Sequence, residues 1–124
     1  MISQDKFNEI ITFFFNLQIV NKMYHWNTTS YARHKATDSF NENFLELIDK
    51  FVEVFIGSYD IKPQINVINP NNKYMSDEGI VKLFTFTRDY LKTFESFIDS
   101  TDLLNIRDEI LGEVNQTLYL FRLN

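Results

Sequence analysis

A chain of 124 residues that is 44% hydrophobic and 16% aromatic is long enough for one packed core and too apolar for disorder. Its net charge of −5, from 12 basic and 17 acidic side chains, comes with no basic arm or tail, which argues against a nucleic-acid partner. With no cysteine, disulfides and thiolate metal sites are excluded.

Only three glycines and two prolines interrupt the chain, so long helices are expected, and residues 1–124 read as a single domain. The first helix is predicted from Gln4 to Trp26, with Ser3 as N-cap and Ile10, Phe14, Leu17, Val20 and Tyr24 recurring on one face. Asn27 to Ser30 is a polar break. The second helix runs from Ala32 to Ile56, with Gly57 as its stop signal. A long connection from Ser58 to Met75 holds both prolines, and its middle, Gln64 to Ile68, suits a short helical turn or an extended segment.

Ser76, followed by Asp77 and Glu78, starts a third helix carrying Ile80, Phe84, Thr87, Leu91, Phe94 and Ile98. Ser100 or Thr101 caps the fourth, which continues through Leu104, Ile110, Val114, Leu118 and Phe121. Two short connections flanking a long one predict an all-α, ferritin-like four-helix bundle, with a crossover between the second and third helices. The longest early apolar run, Ile10 to Phe15, is too short to span a bilayer, and no signal peptide precedes it; a soluble cytoplasmic protein without a membrane partner is expected.

The second helix carries the chemistry. With His34 at the origin of a helical wheel, Asp38, Asp49 and Glu53 fall near ~40°, ~60° and ~100° at ~100° per residue, so the four share a stripe. The core residues Phe40, Phe44, Ile48, Phe51 and Phe55 centre near ~280°, on another face, whereas Leu45, Val52 and Ile56 fall inside the charged stripe. Aliphatic side chains among charges suggest a partner surface.

His34 and Glu53 share a midpoint with Asp38 and Asp49, between residues 43 and 44. A second copy packed antiparallel about a two-fold axis there places His34 opposite the partner's Glu53, and Asp38 opposite the partner's Asp49. Within one chain His34 and Glu53 lie ~28 Å apart along the axis and cannot share an ion. His25 lies close enough upstream to join each cluster. Imidazole and carboxylate without thiolate suit iron, manganese or zinc. Neither histidine has a glutamate three residues before it, which disfavours a di-metal centre inside one bundle. The same residues also fit a plainer reading, with the carboxylates as a solvated face and His25 as a buried, hydrogen-bonded histidine.

The sequence His25-Trp26-Asn27, then His34-x3-Asp38 and Asp49-x3-Glu53, set in LQIVNKMYHWN and FNENFLELIDKFVEVFIG, resembles the Dps miniferritins of the ferritin superfamily. About half the chain carries the likeness. It implies that His25, His34 and Asp38 come from one subunit and Asp49 and Glu53 from its two-fold partner. It further implies a homo-oligomer, a dodecamer in that family, that oxidises Fe(II) with peroxide or dioxygen, stores ferric iron and protects against oxidative damage. Trp26 would then absorb stray oxidising equivalents or anchor the core between helices. The alternatives are a ferritin-like structural or interaction protein without catalysis and, ranked lowest, a DNA-compacting protein.

Overall fold

The computed structural model describes residues 2–64 and 75–123. The chain forms α1 (Gln4–Asn27), α2 (Tyr31–Tyr59), α3 (Asp77–Lys92) and α4 (Thr101–Phe121), with a short 3-10 turn, Thr93–Ser96, after α3. Among the described residues there is no strand.

Local chemistry sets most boundaries. The hydroxyls of Ser3, Ser30 and Ser76 accept hydrogen bonds from the backbone N–H groups of Lys6, Arg33 and Gly79, satisfying donors that a helix start leaves free. Ser100 occupies the corresponding position before α4, but its hydroxyl donates to the Asp102 carboxylate rather than accepting from the backbone.

Two expected boundaries move. Gly57 does not stop α2; the helix runs two residues further, to Tyr59, and is capped by Asp60, whose φ of 54° is left-handed. Tyr59 holds this last turn, its ring 4.9 Å from that of Phe55 and its hydroxyl donating to Asp99 at 3.4 Å. Phe94 and Ile98 are buried as expected, yet they lie beyond α3. There the Thr93 hydroxyl donates to the Tyr90 carbonyl and the Ser96 hydroxyl to the Thr93 carbonyl, side-chain bonds that compete with regular helix.

The core is largely phenylalanine. Phe14 from α1 meets Phe44 and Phe51 of α2 in T-shaped pairs, each 5.7 Å away, and Phe7 stacks on Phe55 at 3.9 Å. Phe40 of α2 meets Phe84 of α3, which in turn meets Phe121 of α4. Each fully buried ring contributes about 2 kcal/mol of transfer free energy, before the conformational entropy lost on folding is counted against it.

Arg33 fixes how the helices meet at one end. Its guanidinium, near the start of α2, donates to the Tyr24 hydroxyl of α1, the Asp77 carbonyl of α3 and the Phe121 carbonyl of α4. The starts of α2 and α3 therefore share an end with the finishes of α1 and α4. At the opposite end Arg107 of α4 donates to the Leu91 carbonyl of α3. Helices α2 and α3 thus run in the same direction, each antiparallel to α4.

After α2 the chain turns back over α1: the Gln4 amide donates to the Lys62 carbonyl and the Gln64 N–H donates to Asn8. The expected turn or extended segment over Ile65 to Ile68 lies outside the described residues. No described helix is long and apolar enough to cross a membrane.

Candidate functional site

The break between α1 and α2 brings His25 and His34 together. Their rings stack at 3.9 Å with an interplanar angle of 17°. His25 is buried, and its Nδ1 lies 2.8 Å from the His34 carbonyl oxygen and 3.0 Å from the Thr37 hydroxyl. His34 reciprocates, its Nδ1 lying 3.0 Å from the His25 carbonyl.

These contacts assign the protons. The Thr37 hydroxyl donates to the Arg33 carbonyl at 2.8 Å, so its oxygen accepts from His25. Both neighbours of His25 Nδ1 are then acceptors, and that nitrogen carries the proton. The same argument protonates His34 Nδ1, because a carbonyl can only accept. In the neutral imidazoles both Nε2 atoms keep their lone pairs. A histidine whose Nδ1–H is tied to a carbonyl while Nε2 stays basic is arranged as metal-binding histidines usually are. The Nε2 of His25 faces the exposed Asp38 carboxylate at 3.9 Å.

Asp49 and Glu53 form a second group further along α2, both exposed. The Asp49 carboxylate, through a shared hydrogen bond and direct repulsion, raises the Glu53 carboxyl above its ordinary value. The two groups lie ~16 Å apart along the helix, from Asp38 to Asp49 at ~1.5 Å per residue. Among the described residues of one chain, no group of three or more His, Asp or Glu side chains is placed to hold a metal ion. One chain stacks His25 on His34 with Asp38 facing His25, sets Asp49 with Glu53 further along α2, and does not join the two.

Trp26 is not a core anchor: it is 68% exposed, with the Lys22 ammonium 5.6 Å from its ring centre. Tyr31, 75% exposed, lies 6.4 Å from the His34 ring on the outer side of the cluster. The apolar members of the α2 stripe divide. Leu45 is 45% exposed, whereas Val52 and Ile56 are half-buried at the core margin. Phe15 and Ile19 of α1 are also partly exposed.

Sequence reading missed Thr37 and Asn21. Thr37 is fully buried and orients His25, while the buried Asn21 amide donates to the Thr37 carbonyl from α1. A threonine three residues after a histidine is too common a pattern to signal this role. Arg33 was missed too, since its partners are distant in sequence.

The arrangement defines a class: a four-helix bundle with an imidazole pair, His25 and His34, across the break between its first two helices, Asp38 beside it, and a carboxylate pair further along the second. Residues 25–121, which span His25, His34, Asp38, Asp49 and Glu53, match the family of unknown function DUF5856, and the chain belongs to that family. No curated protein and no solved structure matches the chain.

Proposed function

We propose that this chain is a ferritin-like, Dps-type miniferritin that binds and oxidises Fe(II) at sites shared between two copies of itself. The observation that carries this reading is the reciprocal tie between His25 and His34. It leaves the Nε2 of both rings without the proton, that of His25 facing Asp38 at 3.9 Å, while the carboxylate pair that would complete a site lies further along α2. Antiparallel apposition of two α2 helices about residues 43 and 44 would bring Asp49 and Glu53 of the second copy to the imidazole pair. Like charge at Asp49 and Glu53 favours a cation there. The partly exposed Phe15, Ile19 and Leu45 supply apolar surface for the contact.

In this reading the parallel run of α2 and α3 is that of a ferritin-like bundle, which has a crossover between its second and third helices. Iron is the substrate. Two Fe(II) ions each give one electron to a peroxide, whose O–O bond breaks and which leaves, with two protons taken up, as two waters. Pairing the electrons in this way avoids hydroxyl radical, and the ferric product is stored within a homo-oligomer, a dodecamer by the resemblance. Zinc or manganese would fit the same donors.

Light scattering on the chromatographed metal-free protein, followed by anaerobic Fe(II) and then peroxide, tests the proposal. A dodecamer, or at least a dimer, with ferric absorbance rising well above the protein-free control is expected. Asp49→Ala with Glu53→Ala keeps assembly and abolishes rapid oxidation. A monomer with no oxidation above control overturns the reading.

The burial of His25, and its bonds across α1 and α2, favour a second reading in which the bundle is a structural or interaction protein without catalysis. Zinc uptake with no Fe(II) turnover selects it.

A further inference from the structure

The chain has four arginines, and three of them, Arg33, Arg88 and Arg122, line one cavity of about 470 Å3 between α3 and α4. We infer that this cavity binds a phosphate dianion, either free or as the monoester of a small hydroxylated molecule. The inference does not use the histidine stripe and stands whether or not the protein oxidises iron.

Charge distribution is the first argument. The chain as a whole carries −5, yet none of the described residues lining this cavity is acidic. Among the described residues neither Arg33 nor Arg122 is within ion-pair distance of a carboxylate. Arg88 meets only Asp89, its immediate neighbour, in an exposed pair of the kind that contributes little. Three guanidinium groups around one space repel each other unless an anion enters. The fork of each matches two oxygens of a phosphate.

Preorganisation is the second. Arg33 is clamped by its bonds to Tyr24, Asp77 and Phe121, and its guanidinium lies 4.9 Å from the Phe121 ring centre. These bonds use three of its five donors and leave the others for a ligand. The charge is thus fixed before binding.

The remaining lining suits an organic body. The Thr85 hydroxyl donates to the Val81 carbonyl, so its oxygen is free to accept from a ligand hydroxyl. Asn115 adds an amide, and Phe121 an apolar wall. The volume falls in the range of small-molecule sites, roughly 300–1,000 Å3, and exceeds what phosphate alone would fill.

Titration calorimetry on the protein as it assembles in solution tests the proposal, with inorganic phosphate, ribose 5-phosphate and ribose as probes. Saturable binding of the phosphate compounds is expected, weakened at least about tenfold in an Arg88→Gln, Arg122→Gln variant. Both side chains lie at the surface, so circular dichroism and melting should match wild type. A Lys62→Gln, Lys92→Gln variant loses the same charge away from the cavity and should bind normally. Tighter binding of ribose 5-phosphate than of phosphate identifies the monoester as ligand; equal binding identifies the free ion. No saturable binding of either phosphate compound, equal weakening in the lysine variant, or ribose binding as well as its phosphate overturns the proposal.

Discussion

His25 and His34 each donate Nδ1–H to the other's backbone carbonyl, at 2.8 and 3.0 Å, across the break between α1 and α2. The bonds join the last turn of one helix to the first turn of the next, and they dictate which nitrogen of each ring remains basic. Local folding and the chemistry available at the surface are therefore one arrangement rather than two.

That arrangement predicts the tautomers. Long-range proton–nitrogen NMR on metal-free protein, at a pH where the spectra show both rings neutral, should find both Nδ1 atoms protonated and both Nε2 atoms bare. Adding zinc should shift the Nε2 resonances and leave the Nδ1 protons in place. Protonated Nε2 in either neutral ring would contradict the assignment made from Thr37 and the two carbonyls.

The carboxylate pair predicts a pH dependence with a definite sign. Asp49 raises the Glu53 carboxyl, so the folded state binds that proton more tightly than the unfolded chain does. The stability this provides is complete below the unfolded value near 4.5 and is lost as pH rises through the higher folded value. At neutral pH the pair is repulsive. Glu53→Gln should therefore raise the melting temperature at pH 7 in the presence of a chelator, with the gain vanishing below about pH 4. A gain of equal size at both pH values would point to a cause other than the ionised pair.

Much of the fold was legible because it follows from local patterns. Ser3 and Ser76 marked helix starts through their hydroxyls. The spacing of Phe40, Phe44, Ile48, Phe51 and Phe55 marked a face that is buried along its whole length. Where α2 outran its expected stop, contacts of Tyr59 had overridden the glycine: its ring packs on Phe55 one turn back and its hydroxyl donates to Asp99, carrying α2 through Gly57. The stripe from His34 to Glu53 was legible as a spacing. What orients His25 was not, because Thr37 and the His34 carbonyl act on it only once the break between the helices has folded.

Gly57 itself yields a prediction. It lies exposed inside α2, and a Cβ added there meets nothing within 4 Å. Glycine in an exposed helix costs about 1 kcal/mol relative to alanine, chiefly through the freedom of the unfolded chain. Gly57→Ala should therefore stabilise the protein by about 0.5–1 kcal/mol in urea unfolding, with an unchanged slope. Destabilisation would mean that α2 needs glycine at this point, as a helix stop there would require.

Arg33 should be the costliest surface-adjacent residue to replace. Its three hydrogen bonds reach α1, α3 and α4 from the start of α2, and two of its acceptors are backbone carbonyls. The Phe121 carbonyl is among those that a helix leaves unpaired at its end. Arg33→Met preserves the packing of the stem against Phe121 but leaves these oxygens without their charged donor. Hydrogen bonds from charged groups contribute about 1.5–3 kcal/mol each, and solvent reaching this partly open end would replace some of them, so a net loss of about 2–3 kcal/mol is expected in urea unfolding. Arg122→Gln, at the same end but with only the Tyr119 ring beside it at 5.9 Å, should change stability by less than about 0.5 kcal/mol. Equal losses in the two variants would show that the end is held by charge in general rather than by the clamp that Arg33 forms.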